Sequence, residues 1–135
     1  MSEPDRSSEA AEWLAYSERD LRAMRTLSAA ADEHPEAVVF WAQQVVEKSL
    51  QAVLALEGSR APRTHDLAVL VQMVSAELPF LSQMRSLEQL TRMAVGSRYP
   101  DTHISIDGQG VALAVETAES AYEQIARHIR EQESE

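Results

Sequence analysis

The chain has 135 residues, is 44% hydrophobic with only 5% aromatic, and carries a formal charge of −10; this suits one domain with an aliphatic core. Four glycines and five prolines are too few for the turns of an all-β fold, and the absence of cysteine excludes disulfides and thiolate metal or nucleophile sites. The negative charge argues against a protein that holds long nucleic acid through phosphate contacts alone.

In chain order, the opening MSEPDRSSEAAEW is polar and acidic, unlike a signal peptide, and no apolar run approaches membrane-spanning length. A cytoplasmic protein without membrane contact is expected. A first helix is predicted from about Ser8 to Ala31, with Leu14, Leu21, Met24 and Ala31 on one face. Ser17 and Ser28 share that stripe, which implies close or partly wet packing. Pro35 suits the first position of a second helix running to about Glu57, with Gly58 as its terminal cap. This helix is apolar nearly all round, so it should be enclosed on several sides. At 1.5 Å per residue it would span about 30 Å, the width of the domain.

Thr64 is expected to open a third helix, with Asp66 in its first turn and Leu67, Leu70, Val71 and Val74 buried. Pro79 separates it from a fourth, where Met84, Leu87, Leu90 and Ala94 recur at helical spacing until Gly96. Pro100 and the glycines at 108 and 110 predict a loop over 97–110, with Tyr99 forced out of helical geometry. In the last helix Val111, Val115, Ala118, Tyr122, Ile125 and Ile129 alternate steps of four and three. The expected fold is all-α, an antiparallel up-and-down bundle of four or five helices forming a single domain over 1–135, with its core at about 10–130.

Two features bear on function. From Arg60 to Arg98 five arginines face three carboxylates, a local balance of +2 that leaves −12 for the remainder. Such a middle suits a small anion, a short RNA or an acidic partner, or else ordinary surface ion pairs. The second feature is the set of polar residues on the otherwise apolar second helix: Gln43, Gln44, Glu47 and Lys48. Either they satisfy loop backbone groups and a buried pair that sets helix register, or Glu47 and Lys48 line a groove in a dimer.

The block Phe40, Ala42, Gln43, Gln44, Glu47, Lys48, its glycine cap, the Thr64-His65-Asp66-Leu67 run and the Arg98-Tyr99-Pro100-Asp101 loop together resemble the HEPN domain. The resemblance covers roughly residues 10–130. It implies a homodimeric helical module, often paired with a minimal nucleotidyltransferase in toxin–antitoxin-like two-gene systems, with a nucleotide or other anion bound near Arg98. Gln44, Lys48, Tyr99 and Asp101 would then line a ligand or dimer groove. A helix apolar on every side in so small a bundle is a second ground for a dimer.

In RNase members of the superfamily an arginine is followed, after four to six residues, by a histidine; Arg98 and His103 have four between them. By that resemblance the alternative is a metal-independent endoribonuclease with a composite site at the dimer interface. There Arg98 would hold the phosphate and His103 would act as general acid or base. Tyr99 stands where those RNases usually carry a polar residue, and Ser105 stands where an adenylylated toxin subgroup has tyrosine. A structural reading of the loop has Arg98 paired with a carboxylate and Asp101 accepting loop amides. His65 would cap or contact a neighbour, while His34 and His128 look exposed. No ligand spacing for a metal and no phosphate loop are present, so no metal and no cofactor is expected.

Overall fold

The computed structural model describes residues 3–102 and 104–133, and those residues form an all-helical bundle with no strand. Its five α-helices are α1 (Glu3–Ser28), α2 (Pro35–Leu56), α3 (Leu67–Met73), α4 (Met84–Gly96) and α5 (Gly108–Glu133), with short 3₁₀ turns at Pro79–Ser82 and Pro100–Thr102. None of the described helices is long and apolar enough to cross a membrane.

The helix α2 is the axis of the molecule. Pro35 starts it, Glu57 and Gly58 close it, and Gly58 takes the left-handed conformation (φ 76°) that favours glycine. Twelve of its residues are buried, and α1, α5, α4 and α3 all pack on it. One chain therefore encloses this helix, and its apolarity is no ground for a dimer. The contact with α1 is close because small residues meet there. Buried Ser17 donates to the Val45 carbonyl (2.9 Å) and accepts from the Ser49 hydroxyl across the interface (2.7 Å).

Three element boundaries differ from expectation. Helix α1 runs from Glu3 to Ser28, and residues 30–34 close it through turn hydrogen bonds instead of a further helical turn. Helix α3 begins at Leu67, with Asp66 as its N-cap accepting from the Ala68 amide. Thr64 lies upstream, its hydroxyl accepting from the Asp66 amide. The extended backbone at Val74 stops the helix after two turns, leaving Val71 and Val74 only half-buried. In α5 the buried seam is Ala114, Thr117, Ala118, Ala121, Ile125, Ala126 and Ile129, so Val111, Val115 and Tyr122 flank it. Alanines let α5 approach α2 closely, and the larger residues fill the edges of that contact.

Polar anchors position the connections. The Glu57 carboxylate at the end of α2 accepts from the amides of Ser75 and Ala76, both at 3.0 Å. Gln124 of α5 accepts from the Phe80 amide (2.8 Å), which seats the buried Phe80 ring. At the start of α5 the Asp107 carboxylate accepts from the Gly110 amide (2.8 Å).

Candidate functional site

The end of α4 delivers Arg98. Its guanidinium lies 4.9 Å from the centroid of the Phe40 ring on α2, a cation–π contact, and forms no ion pair with a described residue. Neither half of the structural reading of this loop holds: Arg98 has no carboxylate partner, and Asp101, exposed in the 3₁₀ turn, accepts no described loop amide. The loop is tied instead by Thr102, whose hydroxyl donates to the carbonyls of Gly96 and Tyr99. The aromatic face of Phe40 orients Arg98 while leaving its donors available, which an ion pair would not.

Beside Arg98 the surface is apolar. Val95 is 45% exposed and Tyr99 58% exposed, one turn apart. Beneath them a cavity of about 180 Å³ is walled by Phe40, Gln43, Gln44, His65, Arg98 and Tyr99. Gln44 and Tyr99 thus join Arg98 at one site. Lys48 does not: it pairs with Asp20 of α1, a carboxylate 1% exposed, and faces a separate groove. His103 lies outside the described residues.

Two wall residues gain their significance from the fold. The Gln43 side chain is 2% exposed; its amide nitrogen donates to the His65 carbonyl (2.6 Å) and to Glu47 (3.1 Å). Its amide oxygen is buried without a hydrogen-bond partner. A buried acceptor left open beside a cavity is a place for a ligand donor. His65, exposed, makes a 2.9 Å hydrogen bond through Nδ1 to Glu47. That bond orients the ring and directs Nε2 away from Glu47, as second partners of functional histidines do. The Thr-His-Asp-Leu run marked His65 only as a contact residue, and nothing local announced that it would share a cavity with Arg98. Among the described residues no group of three acidic or histidine side chains could hold a metal ion.

Chemically, the cavity combines a free arginine fork for an anion, an aromatic face, an open acceptor and an oriented imidazole. The family model for the HEPN domain matches residues 10–133. No curated protein and no solved structure matches the chain significantly. With the helical bundle, the central-helix polar block and a match over nearly its full length, the chain belongs to the HEPN domain family.

Proposed function

We propose that this HEPN domain is a homodimeric binding module that takes a nucleotide, or a phosphate-bearing segment of RNA, in the cavity beside Arg98, and that it works with a nucleotidyltransferase partner in a toxin–antitoxin-like pair. The observation that carries the binding site is the buried, unpartnered Gln43 amide oxygen in the same cavity wall as an Arg98 guanidinium without a carboxylate. An amino group would satisfy the first and a phosphate the second. Gln44 and Tyr99 border the ligand, and exposed Val95 and Tyr99 offer the apolar surface on which a second copy would rest. Asp101 lies at the rim of this loop, and Lys48 serves the fold through Asp20.

A second reading, metal-independent endoribonuclease, is favoured by the arginine-to-histidine spacing and by the free donors of Arg98. Its acid–base group would be His103 from either subunit or the oriented His65.

One experiment separates the readings. Cleavage of a mixed RNA substrate in EDTA is measured for the wild type and for Arg98→Ala, His103→Ala and His65→Ala, with dimer content matched by sedimentation. The binding reading expects no cleavage by any of them, nucleotide or RNA affinity reduced at least tenfold by Arg98→Ala, and a nucleotidyltransferase that copurifies with the native protein. Cleavage abolished by Arg98→Ala and by one histidine variant would establish the enzyme instead.

A further inference from the structure

A larger groove, about 910 Å³, opens between the first turns of α1, the end of α2 and the loop leading to α3. Three arginines enter it from two directions: Arg6 from α1, and Arg60 and Arg63 from the loop. None of the three makes an ion pair with a described residue. In a chain of net charge −10, three arginines without an ion pair to a described residue stand around one concavity, which the Glu9 carboxylate also lines.

The groove is built as well as charged. The Arg6 guanidinium rests on Gly58, three of its atoms standing 2.6–2.9 Å from where a Cβ on that residue would be. Only glycine leaves this seat open, and the carbonyl end of α2 attracts the cation. Arg6 Nε is buried there with no hydrogen-bond partner. Ala61 packs against the core and pins the loop between exposed Arg60 and Arg63, so both are held at the rim. Trp13 lies half-buried against the core while the indole also lines the groove, which makes a rigid apolar platform in the same concavity as the arginines. The carboxylate of Glu47 in this lining is already engaged by Gln43 and His65.

We propose that this groove is a second ligand site, for a small molecule that combines a flat ring with a phosphate or diphosphate: the ring on Trp13 and the phosphates on Arg60 and Arg63, with Arg6 behind them. The volume suits a ligand of nucleotide size, since small-molecule sites span roughly 300–1,000 Å³. The arginines cluster in one concavity and do not continue as a basic track, which favours a small ligand over a long polyanion. The site is separate from the Arg98 cavity, with His65 in the wall of each, and the inference does not depend on the reading of that cavity.

Calorimetric titration of the full chain with ADP, pyrophosphate, adenosine and a short single-stranded RNA tests it, using wild type, Arg98→Ala, and Arg60→Ala/Arg63→Ala and Trp13→Leu each alone and in an Arg98→Ala background, which removes the phosphate contact of the other cavity. The two loop arginines are exposed, so their double variant keeps the fold, and thermal melts check Trp13→Leu. Expected is saturable ADP binding weakened about tenfold or more in the arginine double variant, as loss of charge-assisted phosphate contacts implies. Trp13→Leu weakens ADP several-fold and leaves pyrophosphate unchanged, and Arg98→Ala leaves ADP binding at this groove intact. The proposal is overturned by absent ADP binding, by ADP binding that survives loss of both loop arginines in the Arg98→Ala background, by indifference of ADP to Trp13→Leu in that background, or by binding of the RNA alone. Loss of binding in Arg98→Ala with the arginine double variant unaffected would assign the ligand to the other cavity and also overturn it.

Discussion

At the scale of single residues, the polar positions of α2 divide between support and ligand contact. Lys48 supports. Its ammonium neutralises Asp20, which is 1% exposed and also touched by Arg19 at 3.3 Å. Removing one member of a buried pair strands the other's charge, so Lys48→Met should lower stability by about 3 kcal/mol, the lower end of the usual range because Arg19 remains. Urea unfolding measures it, and Asp20→Leu/Lys48→Met should recover most of the loss. A double variant as unstable as the single one would mean that the pair itself, and not the stranded charge, carries the stability. Gln43 is the reverse case: half of its amide is satisfied by the His65 carbonyl and Glu47, while its oxygen is buried without a partner in a residue that lines the cavity.

At the scale of elements, the loop carrying Arg98 depends on how α4 ends. Gly96 is buried, and a Cβ there would collide with the Ile104 side chain on the far side of the loop. Glycine within a helix normally costs about 1 kcal/mol against alanine. Here that cost is accepted to bring Ile104 down onto α4. Gly96→Ala should therefore destabilise the wild type, yet stabilise an Ile104→Ala background by about 1 kcal/mol. A thermal double-mutant cycle reads the change of sign, and stabilisation in both backgrounds would show that the loop does not need this approach.

The α1–α5 seam makes a different prediction. Burial, followed by the neighbouring Glu18 carboxylate, raises the Tyr122 pKa above its ordinary value of 10.0. The folded chain thus holds this proton more tightly than the unfolded one. Its contribution is complete below the ordinary tyrosine value and disappears as pH rises through the raised value in the folded state. Tyr122→Phe should leave stability near neutrality little changed, but fall less steeply than wild type above pH 10. Parallel alkaline slopes in pH-dependent urea unfolding would contradict this.

At the scale of the molecule, helices and family were legible because their signals are local or periodic. Pro35 and Gly58 bracket α2, and an uninterrupted apolar surface identifies it as the centre. That surface is a weak ground for a second copy, because periodicity does not tell how many neighbouring helices a helix will have. Four helices of the same chain suffice. Large apolar side chains remain outside at Tyr16, Val69, Val95 and Tyr99, and the last two are those that the proposed dimer would cover. In the expected α5 face Ala118, Ile125 and Ile129 are buried, whereas Val111, Val115 and Tyr122 flank the seam, because large residues mark a helical face in sequence while close packing on α2 selected alanines.

The candidate site was half legible. Arg98, Tyr99 and Gln44 stood out as a motif, and they do share one cavity. Composition, helical period and terminal residues also settled the all-helical class, while the polar block of α2 and the Arg98–Asp101 loop carried the resemblance to the HEPN family, since each is a signal over a few neighbouring residues. Tertiary structure alone decided which polar groups meet. Lys48 found Asp20 across 28 residues of sequence, His65 found Glu47 across 18, and the arginines on either side of Gly58 were brought to one groove. Such pairings depend on how helices are oriented against one another, and that orientation is set by the whole core and by no single segment.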